Sequence, residues 1–207
     1  DPQYQVDEYL VEQKKLGRIK HLGMSTHGTF DAFKAFIEEY GDHIEFCQIQ
    51  LNYVDYDFQE AKKRVELLKK YNIPVWVMEP LRGGKLVNIP AVARAELDKF
   101  RPNASNIEWA FRYLQSFADV KMILSGMSTM DQVKDNIRIF STDEPLNVDE
   151  MEAIYKAGQG IMSGTLPCTV CRYCTEYCPM QLDIPMYMTL YNEEKMNPGT
   201  HYIRMAL

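Results

Sequence analysis

From residue 19 onward, short apolar runs alternate with longer stretches whose apolar positions recur at helical spacing. The runs IKHLGMS at 19–25, IEFCQIQ at 44–50, IPVWVME at 73–79 and VKMILSG at 120–126 are each strand-sized. Between them, TFDAFKAFIEEY places Phe30, Phe33, Ala35 and Phe36 toward one side, and FQEAKKRVELLKKY does the same with Ala61, Val65, Leu68 and Tyr71. Strand alternating with helix predicts an α/β fold with parallel strands and right-handed crossovers. The stretch 80–117 is longer. Pro80, Gly83, Gly84 and Pro90 break it before helices expected at 91–100 and 104–116, the second capped by Asn103 or Ser105. Further helices are expected at 129–139, at 147–159 (entered through Asn147 and left through Gly158) and at 185–196. On periodicity alone, the four strand-helix units fit either half of an eight-stranded barrel or a small open sheet.

After Gly164 the composition changes, which predicts two domains, 1–162 and 163–207. Cys168, Cys171, Cys174 and Cys178, followed at once by Pro179, form the C-x2-C-x2-C-x3-C-P run with which ferredoxin-type segments hold a four-iron four-sulfur (4Fe-4S) cluster. Three thiolates spaced by three reach one cluster face from a tight loop, and the proline fixes the chain's exit. Structural zinc also takes four thiolates, usually from two C-x2-C pairs on separate knuckles, and no second pair is present. The spacing therefore ranks iron–sulfur ahead of zinc. In two-cluster ferredoxins the last cysteine of such a run serves the other cluster. With no second run here, either Cys178 closes a single cluster or further sequence belongs to the protein.

At 207 residues and 46% hydrophobic, the chain is long enough for one domain core plus an appendage. A net charge of −6 with no basic run argues against nucleic acid and against an electrostatic hold on a membrane. No run approaches 18 apolar residues, and DPQYQVDEYL lacks the features of a signal peptide, so a cytoplasmic location is expected. Cys47, in an apolar run without a partner of like context, reads as a core residue. Asp1 in place of an initiator methionine points to a fragment or a processed chain.

Several stretches resemble the aldo/keto reductase family. LVEQKKLGRIKHLGMSTHG resembles the entry to its fifth strand, IEFCQIQLNY its sixth, VWVMEPLRGGKL its seventh with the loop behind it, and ILSGMSTMDQVKDNI its eighth with a Gln-x3-Asn helix. The cysteine tail resembles the branch of that family with a ferredoxin-like iron–sulfur appendage. The resemblance implies the second half of a (β/α)8 TIM barrel, strands near 19–25, 44–50, 73–79 and 120–126, with a small helical iron–sulfur segment. The family's catalytic tetrad would lie on the first four strands, so no catalytic residue is assigned and the chain alone is expected to be inactive.

Carried over by position, Ser25 and Gln48 would hold the nicotinamide carboxamide of NADP or NAD. Leu81 and Gly83, with Lys85, would cradle the pyrophosphate, and Gly126, Ser128, Gln132 and Asn136 the adenosine end. Each has a plainer reading: a turn for Ser25, a solvent-facing strand residue for Gln48, a surface loop for Leu81 and Gly83, a solvated helix face for Gln132 and Asn136. Thr26 stands where an asparagine often follows the serine, and Met78 where an aromatic usually stacks on nicotinamide. No cation lies between Gly126 and Lys134 to select a 2′-phosphate. Glu79, a charged group at a strand's C-terminal end, reads as a site residue or, more readily, as a paired structural carboxylate, and His27 as exposed.

The resemblance implies an oxidoreductase that reduces small-molecule carbonyl substrates with NAD(P)H, its cluster relaying electrons or bracing the tail, with a redox protein as a further partner. The alternative is an electron-transfer or redox-sensing protein that uses the barrel as scaffold.

Overall fold

The computed structural model describes residues 6–58, 60–166 and 173–196. Four strands, β1 (Gly23–Ser25), β2 (Phe46–Gln50), β3 (Val75–Met78) and β4 (Val120–Ile123), form one parallel sheet in the order β1-β2-β3-β4. The chain divides into two compact units, residues 1–83 with 110–147, and 84–109 with 148–207. The first holds the sheet together with helices α1 (Val6–Lys15), α2 (Phe30–Tyr40), α3 (Asp55–Phe58) and α4 (Ala61–Lys70). Sequential parallel strands joined through helices are the repeating unit of a (β/α)8 barrel.

All four strands fall inside the expected runs but are shorter. Pro74 has no N–H and enters β3 only as an acceptor, taking a bond from Cys47 N at 3.0 Å. At the other end Glu79 turns into a left-handed conformation, φ 57°, and terminates the strand at Met78.

Alternation along the strands separates two faces. Cys47, Ile49, Val75 and Val77 are wholly buried, with α4 packed on β2. Burial pushes the Cys47 thiol up to about 12, as befits a core residue. Phe33 and Ile37 of α2, and Val65 and Leu68 of α4, are buried as well. Ala35, expected on that side of α2, is exposed, because the i,i+4 spacing from Phe33 reaches Ile37 instead. On the opposite face Phe46, Gln48, Gln50, Trp76 and Met78 are only half-buried. There Gly23 makes room for Phe46, whose ring carbons come within 2.3 Å of where a Gly23 Cβ would stand. The Phe46 ring in turn stacks on Trp76 at 3.9 Å between centroids.

The sheet's two edges are bordered by grooves. One of about 640 Å³ runs beside β4, lined by Phe117, Val120, Met122, Ile123 and Phe140, and one of about 300 Å³ beside β1, lined by Leu10, Val11, Leu22, Met24 and Phe36.

The second unit contains α5 (Ala91–Asp98), α8 (Val148–Met162), α9 (Tyr173–Glu176) and α10 (Ile184–Met196). Helix α6 (Asn106–Gln115) is divided between the units at Trp109 and Ala110, and α7 (Met130–Phe140) belongs to the first. Ser105 caps α6, accepting from Glu108 N at 3.1 Å. Helix α8 does not end at Gly158, which is buried within it. It runs on to Met162 and stops before Gly164, whose φ of 79° suits a residue without a Cβ. Arg101 forks onto the buried Glu150 carboxylate at 2.5 and 3.0 Å, joining the end of α5 to α8. Among the described residues no helix is long and apolar enough to cross a membrane.

Candidate functional site

The C-terminal ends of parallel strands are where barrel folds gather chemistry, since consecutive loops converge there. β1 and β2 are in register with Ser25 opposite Gln48, and Thr26 N donates to Gln48 O at 3.2 Å just beyond the strand. Gly23 and Ser25, like Phe46, Gln48 and Gln50, share the open face, as period-2 spacing requires. From that face Gln48 Nε2 donates to Met78 Sδ at 3.5 Å and Ser25 Oγ to the same sulfur at 4.0 Å. Two of the expected site residues, 23 positions apart in sequence, thus meet over one atom of a third strand. Thr26 accepts from Gly28 N at 3.1 Å, closing a turn, and His27 is exposed.

Beneath this triad lies a polar network that pattern reading missed. Asn52 uses its whole amide. Its Oδ1 accepts from Val54 N (3.1 Å) and Asp55 N (2.9 Å), while its Nδ2 donates to Asp55 Oδ2 (2.7 Å) and to Glu79 O (3.0 Å). Asp55, fully buried, also accepts from Gln50 Nε2 at 2.7 Å and pairs with Arg82 Nε at 3.1 Å. A buried carboxylate is tolerable only with such compensation. The network ties the exit of β2 to the exit of β3 and holds Glu79 and Arg82 at φ 57° and 51°, conformations that cost a non-glycine residue of order 1 kcal/mol or more. Its one readable signal is the Asn-x2-Asp spacing after an apolar run, typical of a side-chain-closed turn. Tyr53 is buried beside it, its hydroxyl without a hydrogen-bond partner among the described residues and its pKa pushed up by burial.

Glu79 departs from expectation. Its backbone is held, but its side chain is exposed and no described residue pairs with its carboxylate. One carboxylate oxygen lies 3.6 Å from where a Gly83 Cβ would stand. Gly83 itself is exposed at φ 64°, and Leu81 is half-buried. The backbone here is open to close approach, with the Glu79 carboxylate beside it.

Behind β4, Gly126 is exposed with nothing near its missing Cβ. Thr129 and Gln132 form a capping box at the start of α7: Gln132 Oε1 accepts from Ser128 N (2.7 Å) and Thr129 N (3.1 Å), and Thr129 Oγ1 from Gln132 N (3.3 Å). Asn136, one turn on, donates to Ser125 Oγ at 2.9 Å. Ser128, Gln132 and Asn136 are therefore gathered at one helix start, with Gln132 serving the helix in this state.

Of the cysteines, Cys174 is exposed in α9 and Cys178 half-buried in the turn behind it, both as free thiols, whereas Cys168 and Cys171 lie outside the described residues. Asn192 of α10, buried, brackets Leu166 just before the run, accepting from its N at 2.7 Å and donating to its O at 2.8 Å. Gln181 N closes the exit onto Cys178 O at 3.0 Å. Among the described residues no group of three or more His, Cys, Asp or Glu is arranged to hold a metal ion.

The model of the aldo/keto reductase family matches residues 2–159. The fold is similar to that of an aldo-keto reductase, AKR11C1, from Bacillus halodurans in its holo form (TM-score 0.61, 23% identity, 76% of this chain and 56% of that one). It is also similar to aldose reductase from Giardia lamblia (0.55, 14%, 74% and 50%) and to an aldo/keto reductase from Brucella melitensis (0.52, 21%, 72% and 52%). At these identities the likeness speaks for the fold. The chain spans about half the length of the structures it matches. No curated protein matches it significantly.

Proposed function

The chain belongs to the aldo/keto reductase family, and from that premise we propose that it supplies the nicotinamide-nucleotide-binding part of an oxidoreductase acting on small carbonyl compounds. The observation that carries this reading is the convergence of Ser25 and Gln48, two uncharged donors from adjacent strands, on one point of the open face. An amide oxygen is the ligand acceptor such a pair suits, and a thioether is a weak occupant of that point. Ser25 and Gln48 would hold the carboxamide of NADPH or NADH and so orient the ring. Gly126, Ser128, Gln132 and Asn136 would receive the adenosine end, while Leu81 and Gly83 would offer backbone between the two. The nicotinamide, when bound, supplies the hydride chemistry of such enzymes. The protein's part is orientation, and a general acid would come from outside these strands.

The four cysteines are proposed to hold a four-iron four-sulfur cluster. Cys174 and Cys178 are accessible rather than sealed in the core, the chain is fastened just before the run at Leu166, and a turn closes behind Cys178. Calorimetric titration with NADPH and with NADH tests the first part of the reading. Binding of at least one, weakened by Ser25→Ala and by Gln48→Ala, is expected, and binding of neither removes it. Anaerobic iron and sulfide analysis tests the second: about four of each per chain are expected of one such cluster, and one zinc without sulfide overturns it.

A further inference from the structure

We infer that Met78 is a specificity-determining residue of this site, a thioether latch that occupies the amide-acceptor position until a stronger acceptor displaces it. The inference rests on the reading of Ser25 and Gln48 as carboxamide donors. Both donors aim at Met78 Sδ, at 4.0 and 3.5 Å, and no other described residue accepts from either. Sulfur of this kind accepts hydrogen bonds weakly. The free site therefore holds its donors against a partner that can be exchanged at small cost.

Methionine suits such a role for a second reason. It has three flexible side-chain torsions and no branching, so it can leave the position by rotamer change without moving the strand. The backbone beneath it is, by contrast, restrained. Gln50 opposite Met78 is tied to Asp55, and Glu79 after it is held by Asn52. Motion is thereby confined to the side chain. The latch discriminates by acceptor strength: an amide carbonyl takes both donors from the sulfur, whereas a ring without such a group must compete for the position unaided.

Binding in the wild-type chain is then reduced by the fraction of molecules in which the latch is closed. Met78→Leu keeps the volume and removes the acceptor. If the latch is closed in roughly three-quarters to nine-tenths of free molecules, this variant binds nicotinamide nucleotide about four- to ten-fold more tightly. A residue that merely packs would give unchanged or weaker binding. The experiment is calorimetric titration of wild type and Met78→Leu with NADPH and NADH, together with NMR of methyl-13C methionine. The Met78 resonance is the one missing from the spectrum of Met78→Leu. Tighter binding by the variant, with a shift of the Met78 methyl in wild type on adding nucleotide, is expected. Nucleotide binding by wild type with no gain in Met78→Leu, or with a stationary Met78 methyl, overturns the latch and leaves the proposed function standing. Binding of neither nucleotide by wild type overturns both.

Discussion

The two faces of the four-stranded sheet are built from the same strands and differ in almost everything else. On one, Cys47, Ile49, Val75 and Val77 are sealed at zero exposure. On the other, Phe46, Gln48, Gln50, Trp76 and Met78 are half-buried, and Met122, aligned with Trp76 on β4, is 42% exposed. The sealed face is uniformly apolar and needs no partner beyond its helices. The open face mixes stacked rings, amides and a thioether. In a closed barrel that face is the interior, and four strands cannot close one. The contrast separates two tasks: stability is concentrated where helices cover the sheet, and the groups with something to offer a ligand sit where nothing described covers it.

Truncation on the sealed face is the strongest test of this division. Ile49→Ala should cost about 2–5 kcal/mol, the transfer term of a buried side chain plus a cavity its neighbours cannot fill. Urea denaturation at constant slope measures it, and a loss below about 1 kcal/mol would mean that the face is not packed as described. Gly23→Ala comes next and acts on the open face. Its Cβ would meet Phe46 ring carbons at 2.3 Å, and that ring is pinned from the other side by Trp76. Overpacking of this kind costs about 1–3 kcal/mol. If Phe46 swings out instead, the cost vanishes and the Phe46–Trp76 stack is shown to be loose, which near-ultraviolet circular dichroism would register.

How much of this is readable in the sequence depends on range. The alternation of Cys47 and Ile49 with Gln48 and Gln50 is local, and by itself it assigns these residues to opposite faces of a strand. Family membership is carried by short motifs, each weak alone, whose order and spacing along the chain make the match specific. Register is not local: that Ser25 stands opposite Gln48, and that both reach Met78, follows from strand pairing across tens of residues. The same holds for Asp55 and Arg82, 27 positions apart, whose pairing fixes two left-handed residues that composition would not suggest. Gly158 and Gly164 show a smaller limit. Either glycine could end α8 by residue type alone, and the choice of Gly164 reflects a buried helix face that continues through Ile161.

The smallest effect is expected at Met122, and it bears most directly on what the open face is for. Met122 is aligned with Trp76 across β3 and β4, borders the larger groove and is already 42% exposed. Met122→Lys therefore removes little buried apolar area in this chain, and the lysine stem can lie along the groove with its ammonium in water. The change in stability should stay within about 0.5 kcal/mol, as for other exposed positions. The outcome inverts if four further strands complete a barrel. The same lysine would then face an enclosed interior without a counter-charge, and the substitution should cost several kcal/mol. Denaturant midpoints of Met122→Lys, measured in this chain alone and in the presence of a polypeptide that supplies the remaining strands, would distinguish an open working surface from the exposed half of a core.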